Sequence, residues 1–281
     1  MISGMTSLHD IARTHLPADL AESWLALLRP GAHLVKAVES ETVAGRLGGR
    51  PALPQGETWP VWQGHGPLSF VASVDCTAVP VGALDIALPA DGSLLFFYFD
   101  GQIDDGAAYV AADEPDTWAG ARVVYVPAGV PVAERAVPVG LEAYPEVPLA
   151  VRVEPTAPDV WHPTMRAALP KDALDDGWPE EFTDALYDHS SGPGHRIGGH
   201  ADPVQNPVEQ EIAHGVLGAD VRWDDPRVDE EAQHWVLLAQ FDTDDDADMM
   251  WGDCGALYWL IRPQDLAERR FDRAMFTMQC C

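Results

Sequence analysis

A run of aspartates near the carboxyl end of the chain has the most chemically distinctive spacing. Counted from Asp242, acidic side chains fall at positions one, three, five, seven and twelve. These residues are Asp242, Asp244, Asp246, Asp248 and Asp253. The spacing resembles the calcium loop of an EF-hand, and carboxylate oxygens suit Ca²⁺ or Mg²⁺. However, Ala247 stands where the tight turn requires Gly, and Asp253 is shorter than the usual bidentate Glu. Two interpretations of the run therefore remain. It could form a divalent-metal site of another geometry, or it could be a solvated hairpin loop whose charges prevent edge pairing.

A wider set of residues around this loop could bind a small ligand. Its members are polar or aromatic residues beside turns in the second half of the chain: His195, Gln205, Asp242, Trp251 and Asp253. His189, His195 and His200 lie six and five residues apart, which matches no standard zinc spacing. For His195 the structural alternative is a side chain that hydrogen-bonds the backbone of a turn. For Trp251 the alternative is core filling beneath a loop.

The elements that would position these residues show an internal repeat. Four short segments recur in the same order along the chain. The matched pairs are residues 46–49 with 196–199, 70–75 with 237–242, 92–97 with 255–260 and 122–126 with 273–277. Each unit is interpreted as a Gly-Gly turn, a strand that ends in Asp, a strand entered through Gly and a strand after Arg. The sequence therefore predicts two degenerate copies of one strand-rich unit, which form halves of one structural domain.

Asp75 and Asp242 end matching strands and could form a carboxylate pair for acid–base chemistry. The alternative is that each carboxylate caps the turn after its strand, and its presence in both units favours this second interpretation. Position 45, which matches His195, is Gly, so the histidine belongs to the second half alone. Dinucleotide, P-loop, GxSxG, HExxH and kinase motifs are absent from the sequence. We therefore predict no catalytic residue, and the sequence favours a protein that is not an enzyme.

The predicted fold class is α+β: two tandem degenerate copies of a strand-rich unit that form mostly antiparallel sheets, with flanking helices. Residues 1–44 are predicted to hold amino-terminal helices and a lead-in strand, and residues 45–127 the first repeat unit. Residues 128–194 are predicted to be a Pro-rich connector with short helices, and residues 195–281 the second repeat unit. The two units are expected to pack sheet against sheet, or to merge into one sheet around a shared core.

Local signals predict four helices. Ser7 opens a capping box, and a second helix after Pro17 is expected to end at residues 30–31. A third helix follows Pro179, and a fourth begins near Asn206. The residues of the fourth helix that are expected to face the core are Val208, Ile212 and Val216.

The charge balance limits the class of partner. The chain has 17 basic and 45 acidic residues, a formal net charge of −28. Such a surface repels phosphate backbones and anionic membranes, so neither nucleic acid nor a membrane is an expected partner. It attracts a basic protein, a cationic ligand or a divalent metal, and solubility alone is the alternative explanation. Sparse cysteines without CxxC spacing, no secretory signal and no bilayer-length apolar stretch predict a cytoplasmic location.

Several segments of the second half resemble those of the YwqG-like family. They are residues 195–199 with 202–205, residues 235–242 followed by 250–253, and the terminal pair Gln279 and Cys280. The resemblance covers roughly residues 45–280. It implies an α+β protein with internally duplicated sheets, found mostly in bacteria, whose activity is unassigned, so it supplies no catalytic residues. His200 departs from the resemblance, which leads us to expect a tyrosine or similar residue there.

The expected function is that of a non-catalytic binding protein whose acidic face engages a basic protein partner. An immunity- or antitoxin-like role is one version, because the chain is small and acidic and lacks catalytic motifs. The alternative is a small-ligand-binding protein or an enzyme with its site in the second repeat. No cofactor is predicted apart from Ca²⁺ or Mg²⁺ at the aspartate run.

Overall fold

The structure, a computed structural model, describes residues 7–169, 177–189, 194–218 and 220–281. The helices are α1 (Leu8–His15), α2 (Ala18–Leu25), α3 (Pro163–Ala168), α4 (Glu180–His189), α5 (Val208–Leu217), α6 (Pro226–Ala232) and α7 (Pro263–Ala267). The strands are β1 (Arg29–Lys36), β2 (Gly45–Leu47), β3 (Ala52–Pro54), β4 (Val61–Trp62), β5 (Gly66–Pro67), β6 (Ser69–Asp75), β7 (Ser93–Tyr98), β8 (Ala121–Val126), β9 (Val132–Glu134), β10 (Val147–Thr156), β11 (Arg196–Ile197), β12 (Val236–Asp242), β13 (Ala256–Ile261) and β14 (Met275–Gln279). Short 3-10 turns lie at Val81–Ala83, Pro115–Gly120 and Phe271–Arg273.

One large antiparallel sheet organises the molecule. Its ten strands lie in the order β14-β13-β12-β11-β1-β10-β2-β6-β7-β8, and β3-β9 and β4-β5 form two small two-stranded sheets. The predicted α+β class with mostly antiparallel pairing is therefore confirmed. We call β2-β6-β7-β8 the first run and β11-β12-β13-β14 the second run. The pair β1-β10 lies between the two runs.

The sheet curves until the inner faces of the two runs meet. Across the interior, the ring of Phe96 lies 5.0 Å from that of Phe241 and 5.3 Å from that of Trp259. Tyr98 stacks on Phe276 with 4.8 Å between ring centroids. These contacts place side chains of both runs in one hydrophobic core. The merged arrangement, with one sheet around a shared core, is thus the one that forms.

Two central strands come from segments in which prolines obscure the strand signal. β1 includes Pro30 and Gly31, which were expected to end α2, whereas that helix already ends at Leu25. The Leu34 N–H donates to the carbonyl of His195, so even-numbered residues of β1 face β11. β11 pairs only with residues 32 and 33, so the nitrogen of Pro30 faces a position without a strand. The missing N–H is therefore tolerated, and the expected helix end is wrong.

β10 lies within the segment that was expected to be an extended connector. It pairs with all eight residues of β1 and with β2, which makes it a central strand. Its Pro155 faces the side of β2, and that strand reaches only as far as Leu149 of β10. Proline again falls where no ladder hydrogen bond is needed. The connector therefore holds part of the sheet as well as crossing between its two sides.

The helices pack outside the sheet and follow their local signals in part. Ser7 caps α1, since its hydroxyl oxygen accepts the Asp10 N–H at 3.2 Å, as the capping box predicts. In α5, Val208 and Ile212 are buried as predicted. Val216 is 38% exposed, so the prediction that it faces the core is wrong. α6 and α7 were not predicted. Among the described residues, no helix has the length and apolarity to cross a membrane.

Candidate functional site

The β12–β13 hairpin carries the aspartate run at one end of the second run. Asp242 is the last residue of β12, and the backbone groups of Asp244 and Met249 exchange hydrogen bonds of 2.9 and 3.0 Å across the loop. The Thr243 N–H donates to the carbonyl of Gly255, which closes the base of the loop. This loop places the Asp242 and Asp244 side chains beside His195, which precedes β11.

His195 is held in one tautomer by its two ring contacts. Its Nδ1 accepts the backbone N–H of Asp242 at 3.1 Å. The neutral ring therefore carries its proton on Nε2, which lies 3.2 Å from a carboxylate oxygen of Asp244 and donates to it. The imidazole is nine-tenths buried. Backbone bonding, the structural alternative for His195, is thus present together with a side-chain contact to the acidic loop.

The environment separates the pKa values of the two neighbouring carboxyl groups. Burial raises the pKa of Asp242 to about 6, and the charges of Asp202 and Asp244 reinforce this shift. The pKa of Asp244 is lowered, chiefly by the hydrogen bond from His195. Asp242 is therefore about half protonated near pH 6, where Asp244 stays ionised. Carboxyl pairs whose pKa values diverge in this way are typical of proton-handling and ligand-binding sites.

Asp202 links these groups to a second acidic loop. Its carboxylate lies 3.5 Å from the guanidinium of Arg196, its N–H donates to Gln240 Oε1 at 2.9 Å, and its carbonyl accepts the Tyr258 hydroxyl. Burial raises the pKa of Asp159, and the charge of Asp202 adds to that increase. Asp202 also raises the pKa of Asp242. We call Asp159, Asp202, Asp242 and Asp244 the acidic cluster, in which Asp202 is the central member.

Beneath the acidic cluster, a row of polar side chains crosses five strands in register. The row consists of His33, Arg196, Gln240, Tyr258 and Thr277. Within the described residues, three buried nitrogens of this row lack a hydrogen-bond partner: Nε2 of His33, Nε of Arg196 and Nε2 of Gln240. Leaving such atoms unpaired costs about 1–3 kcal/mol each. They are the groups that a polar ligand atom or a water molecule satisfies in most proteins.

Sequence reasoning missed most of this assembly. Asp159 and Tyr258 were not singled out, and Arg196 was noted only as part of the repeat. One signal was available, because Gln240 interrupts an otherwise apolar strand and is fully buried. A buried amide in a central strand indicates a polar network around it.

The five candidate ligand-binding residues are only partly brought together. His195 and Asp242 are adjacent, and Trp251 donates its indole N–H to the Asp242 carbonyl at 3.1 Å. Trp251 is only 2% exposed and packs edge-on against Tyr98 and Tyr144, so it supports the hairpin from within the core. Gln205 and Asp253 lie elsewhere, at the end of β14. There the Gln205 amide donates to the Cys280 carbonyl at 2.6 Å, and the Asp253 carbonyl accepts the Cys281 N–H.

The remaining aspartates of the run have structural contacts or face solvent. Asp244 accepts the Ala247 N–H at 2.8 Å, and Asp246 pairs with Lys36 at 2.6 Å. Asp248 and Asp253 are exposed. In the part of the chain that the structure describes, no group of three or more potential ligands is placed to hold a metal ion. Metal binding by the run stays a prediction for experiment.

Two other residues of the sequence analysis have structural contacts. The Asp75 carboxylate accepts both the N–H and the hydroxyl of Thr77, at 2.9 and 2.7 Å, so it caps the turn after β6. His200 is buried, and its Nε2 donates to the Leu27 carbonyl at 2.8 Å. Burial lowers the pKa of His200 to about 3, so the ring is neutral. It ties the loop that carries Asp202 to the end of α2.

The fold and the site together define an α+β protein with one strongly curved antiparallel sheet and an acidic cluster on the outside of its second run. A family model described as "Domain of unknown function (DUF1963)" matches residues 45–280. The chain therefore belongs to this family, whose function is not assigned. A search of curated proteins found no match.

Proposed function

We propose that the chain is a non-catalytic binding protein that receives a cationic group of a basic protein partner at the acidic cluster. The observation that carries the proposal is the position of Asp242, which is partly buried at the end of β12 next to Asp202 and Asp244, an environment that raises its pKa to about 6. Burial contributes most to this shift, and the neighbouring carboxylates add to it. A guanidinium or ammonium placed among them would favour the ionised form of Asp242 and stabilise the cluster.

An exposed aromatic side chain next to the cluster supports a protein partner. Trp161 is 77% exposed, and its backbone N–H donates to the Asp159 carboxylate at 2.8 Å. An aromatic ring beside carboxylates suits an arginine, which can stack on the ring while it pairs with the acids. Tryptophan and arginine are also enriched among the residues that dominate binding energy in interfaces. The net charge of −28 would speed the encounter with a basic protein.

The biological form of this proposal is an immunity- or antitoxin-like role in the cytoplasm, in which the chain neutralises a basic protein. The acidity, the size of 281 residues and the lack of catalytic motifs support it. Electrostatic recognition of this kind weakens as salt rises, since exposed charges are screened over about 8 Å at physiological ionic strength.

The test is affinity capture of soluble proteins from the source cells at low salt, with a charge-matched comparison. The site variant is Asp202→Asn with Asp242→Asn. The control is Asp105→Asn with Glu134→Gln, two exposed acids outside the second run; Asp105 has a φ of 54°, which Asn accepts. The proposal expects one basic protein to be retained by the wild type and the control but lost by the site variant. Capture of nothing, or equal loss in both variants, contradicts it.

We further propose that the two runs arose by internal duplication. Both show the same antiparallel pairing order, and both have an irregularity in register at the same place, at residues 70–72 and 237–239. In each run the arginine two residues before the Gly-Gly turn donates to the carbonyl four residues later, Arg46 to Arg50 and Arg196 to His200. These shared local details support a common origin of the units at 45–127 and 195–281.

A second candidate function is a small-ligand or enzymatic site at His195 and Asp242, with or without a divalent metal. The observation that favours it is the defined tautomer of His195 beside a carboxyl group with a pKa of about 6. Thermal unfolding with millimolar Ca²⁺, Mg²⁺ or Mn²⁺, and with a chelator, tests the metal form. A ligand that binds the native state must raise the midpoint. A rise that is lost in Asp242→Asn with Asp246→Asn would assign the metal to the aspartate run.

A further inference from the structure

A groove runs along the outer edge of β8, where the curved sheet stops short of closing. Two clefts of about 1010 and 510 Å³ lie there. They share residues of the β8 edge and of the 3-10 turn at Phe271–Arg273, so they are parts of one feature, which we call the seam groove. The shared residues are Ala119, Arg122, Val123, Phe271 and Asp272. The seam groove lies between the edge of β8 in the first run and the segment that leads into β14 in the second run, and none of its lining residues belongs to the acidic cluster.

The backbone of β8 faces this groove with unused hydrogen-bonding groups. The Phe99 N–H donates to the Gly120 carbonyl, which sets the phase of the pairing between β7 and β8. Arg122, Val124 and Val126 therefore bond to β7, while Val123 and Tyr125 direct their N–H and C=O groups away from it. In the described ranges, no hydrogen bond reaches these four outward groups. β8 thus presents a strand edge with donors and acceptors two residues apart, which is the repeat of an extended peptide.

Aromatic walls flank the edge on both sides. Trp59 packs against Phe97 on the outer face, with 5.7 Å between ring centroids. On the other side, Phe271 lies against Tyr125 at 5.3 Å. Such walls form pockets for the alternate side chains of a bound strand, while the edge holds its backbone. The shape and the backbone groups together suit an extended peptide better than a compact small molecule.

The charges of the groove differ from those of the rest of the surface. Four arginines line it, namely Arg122, Arg262, Arg269 and Arg273, against four acidic residues, in a molecule with a net charge of −28. Arg269 donates to the Tyr125 hydroxyl at 3.1 Å, and Arg262 pairs with Glu231. Arg122 is exposed and has no hydrogen-bond or ion-pair partner among the described residues. Among the described residues that line the groove, Arg122 is thus the arginine without a partner. An acidic side chain of a ligand would complement its charge.

We propose that the seam groove binds an extended peptide segment of a partner protein, which pairs with the free edge of β8 and places an acidic side chain at Arg122. The segment would add an eleventh strand to the sheet. This site is independent of the acidic cluster and selects a partner by the opposite sign of charge.

The test uses two pools of synthetic peptides, about nine residues long, with alternating β-branched residues and either Glu or Lys at the centre. Binding is measured by fluorescence polarisation. The Glu pool is expected to bind at least about tenfold more tightly than the Lys pool. Arg122→Gln should reduce this preference to less than about threefold, whereas Arg50→Gln, at another exposed arginine, should leave it unchanged.

A backbone variant separates strand pairing from other binding. Val123→Pro removes an N–H that β7 does not use, and proline is tolerated at such edge positions, so the fold is expected to persist while peptide binding is lost. If this variant unfolds, amide exchange in the wild type decides: the Val123 and Tyr125 amides should become protected when the Glu pool is added.

Three outcomes would overturn the proposal. The first is that neither pool binds. The second is that peptide binding survives in a folded Val123→Pro variant, which would show that the peptide does not pair with the edge of β8. The third is protection of the Val123 and Tyr125 amides without peptide, together with a dimer in sedimentation. That result would assign the edge to a second copy of the chain.

Discussion

The two runs share their strand order but differ in what they bury on the outer face. In the second run the cross-strand row reads Arg196, Gln240, Tyr258 and Thr277. The matching row of the first run reads Arg46, Ser73, Leu95 and Val124. Only the arginine is common to both. The same arrangement of strands therefore carries a polar network in the second run and a largely apolar surface in the first. The candidate site is determined by these side chains and not by the fold.

The largest expected difference lies at the matched positions 45 and 195. A Cβ at Gly45 would lie 2.3 Å from the Ser73 carbonyl oxygen, a backbone atom that cannot move aside. Gly45→Ala should therefore destabilise the fold by about 3 kcal/mol or more. His195→Ala removes the ring hydrogen bonds to the Asp242 N–H and the Asp244 carboxylate and should cost about 1 kcal/mol. Denaturant unfolding of both variants measures the difference. Similar losses would show that the first run tolerates a side chain there, against the geometry.

The paired arginines should differ next. Arg196 is buried and is held by the His200 carbonyl and Asp202, so Arg196→Met should cost about 3 kcal/mol. Arg46 is a quarter exposed, and Arg46→Met should cost about 1 kcal/mol. Equal changes in the free energy of unfolding would contradict the view that the second run is the one that depends on its polar network.

The dependence of stability on pH sharpens the comparison of Asp242 with Asp75. Because the pKa of Asp242 is about 6 in the folded protein against 3.8 ordinarily, the folded state binds more protons in that interval, and stability falls as pH rises through it. Asp242→Asn should remove this loss and gain about 1 kcal/mol over wild type between pH 4 and 7, once screening of a half-exposed group is allowed for. Unfolding curves across this range measure it. A pH-independent difference between the two proteins would argue against the raised pKa.

The smallest expected effect is that of Asp75→Asn. The amide oxygen can still accept the Thr77 N–H and hydroxyl, so the turn cap persists. Denaturant unfolding should show a change of less than about 0.5 kcal/mol in the free energy of unfolding. A loss of about 1 kcal/mol or more would mean that the turn depends on the carboxylate itself and not only on an acceptor oxygen.

Local sequence signals predicted the parts of the fold that local interactions determine. The cap at Ser7, the strands that end in Asp75 and Asp242, and the helix after Pro179 follow from hydrogen bonding and burial within a few residues. The central pair β1-β10 was harder to recognise as such. Its prolines are acceptable only because neighbouring strands are short, which is a property of the assembled sheet.

The candidate site was predictable to a similar extent. His195 stood out because the first half has Gly at the matching position, and Asp242 stood out because it begins the aspartate run. The role of Asp202 depends on Gln240 and Tyr258, which lie 38 and 56 residues further along the chain. No local pattern reports such contacts. The indole of Trp251 points into the core because the hairpin folds over it, so its position beside acidic residues in the sequence suggested the wrong kind of environment.

The central position of β1 has a consequence for where the protein can be cut. The family match begins at residue 45, but β1 (Arg29–Lys36) lies between β10 and β11 and joins the two runs. A fragment that starts at residue 45 would leave two unsatisfied edges in the middle of the sheet, and such edges promote aggregation. The cooperative folding unit is therefore larger than the matched stretch of residues 45–280. We expect a synthetic peptide of residues 29–36, supplied in trans, to restore solubility to that fragment.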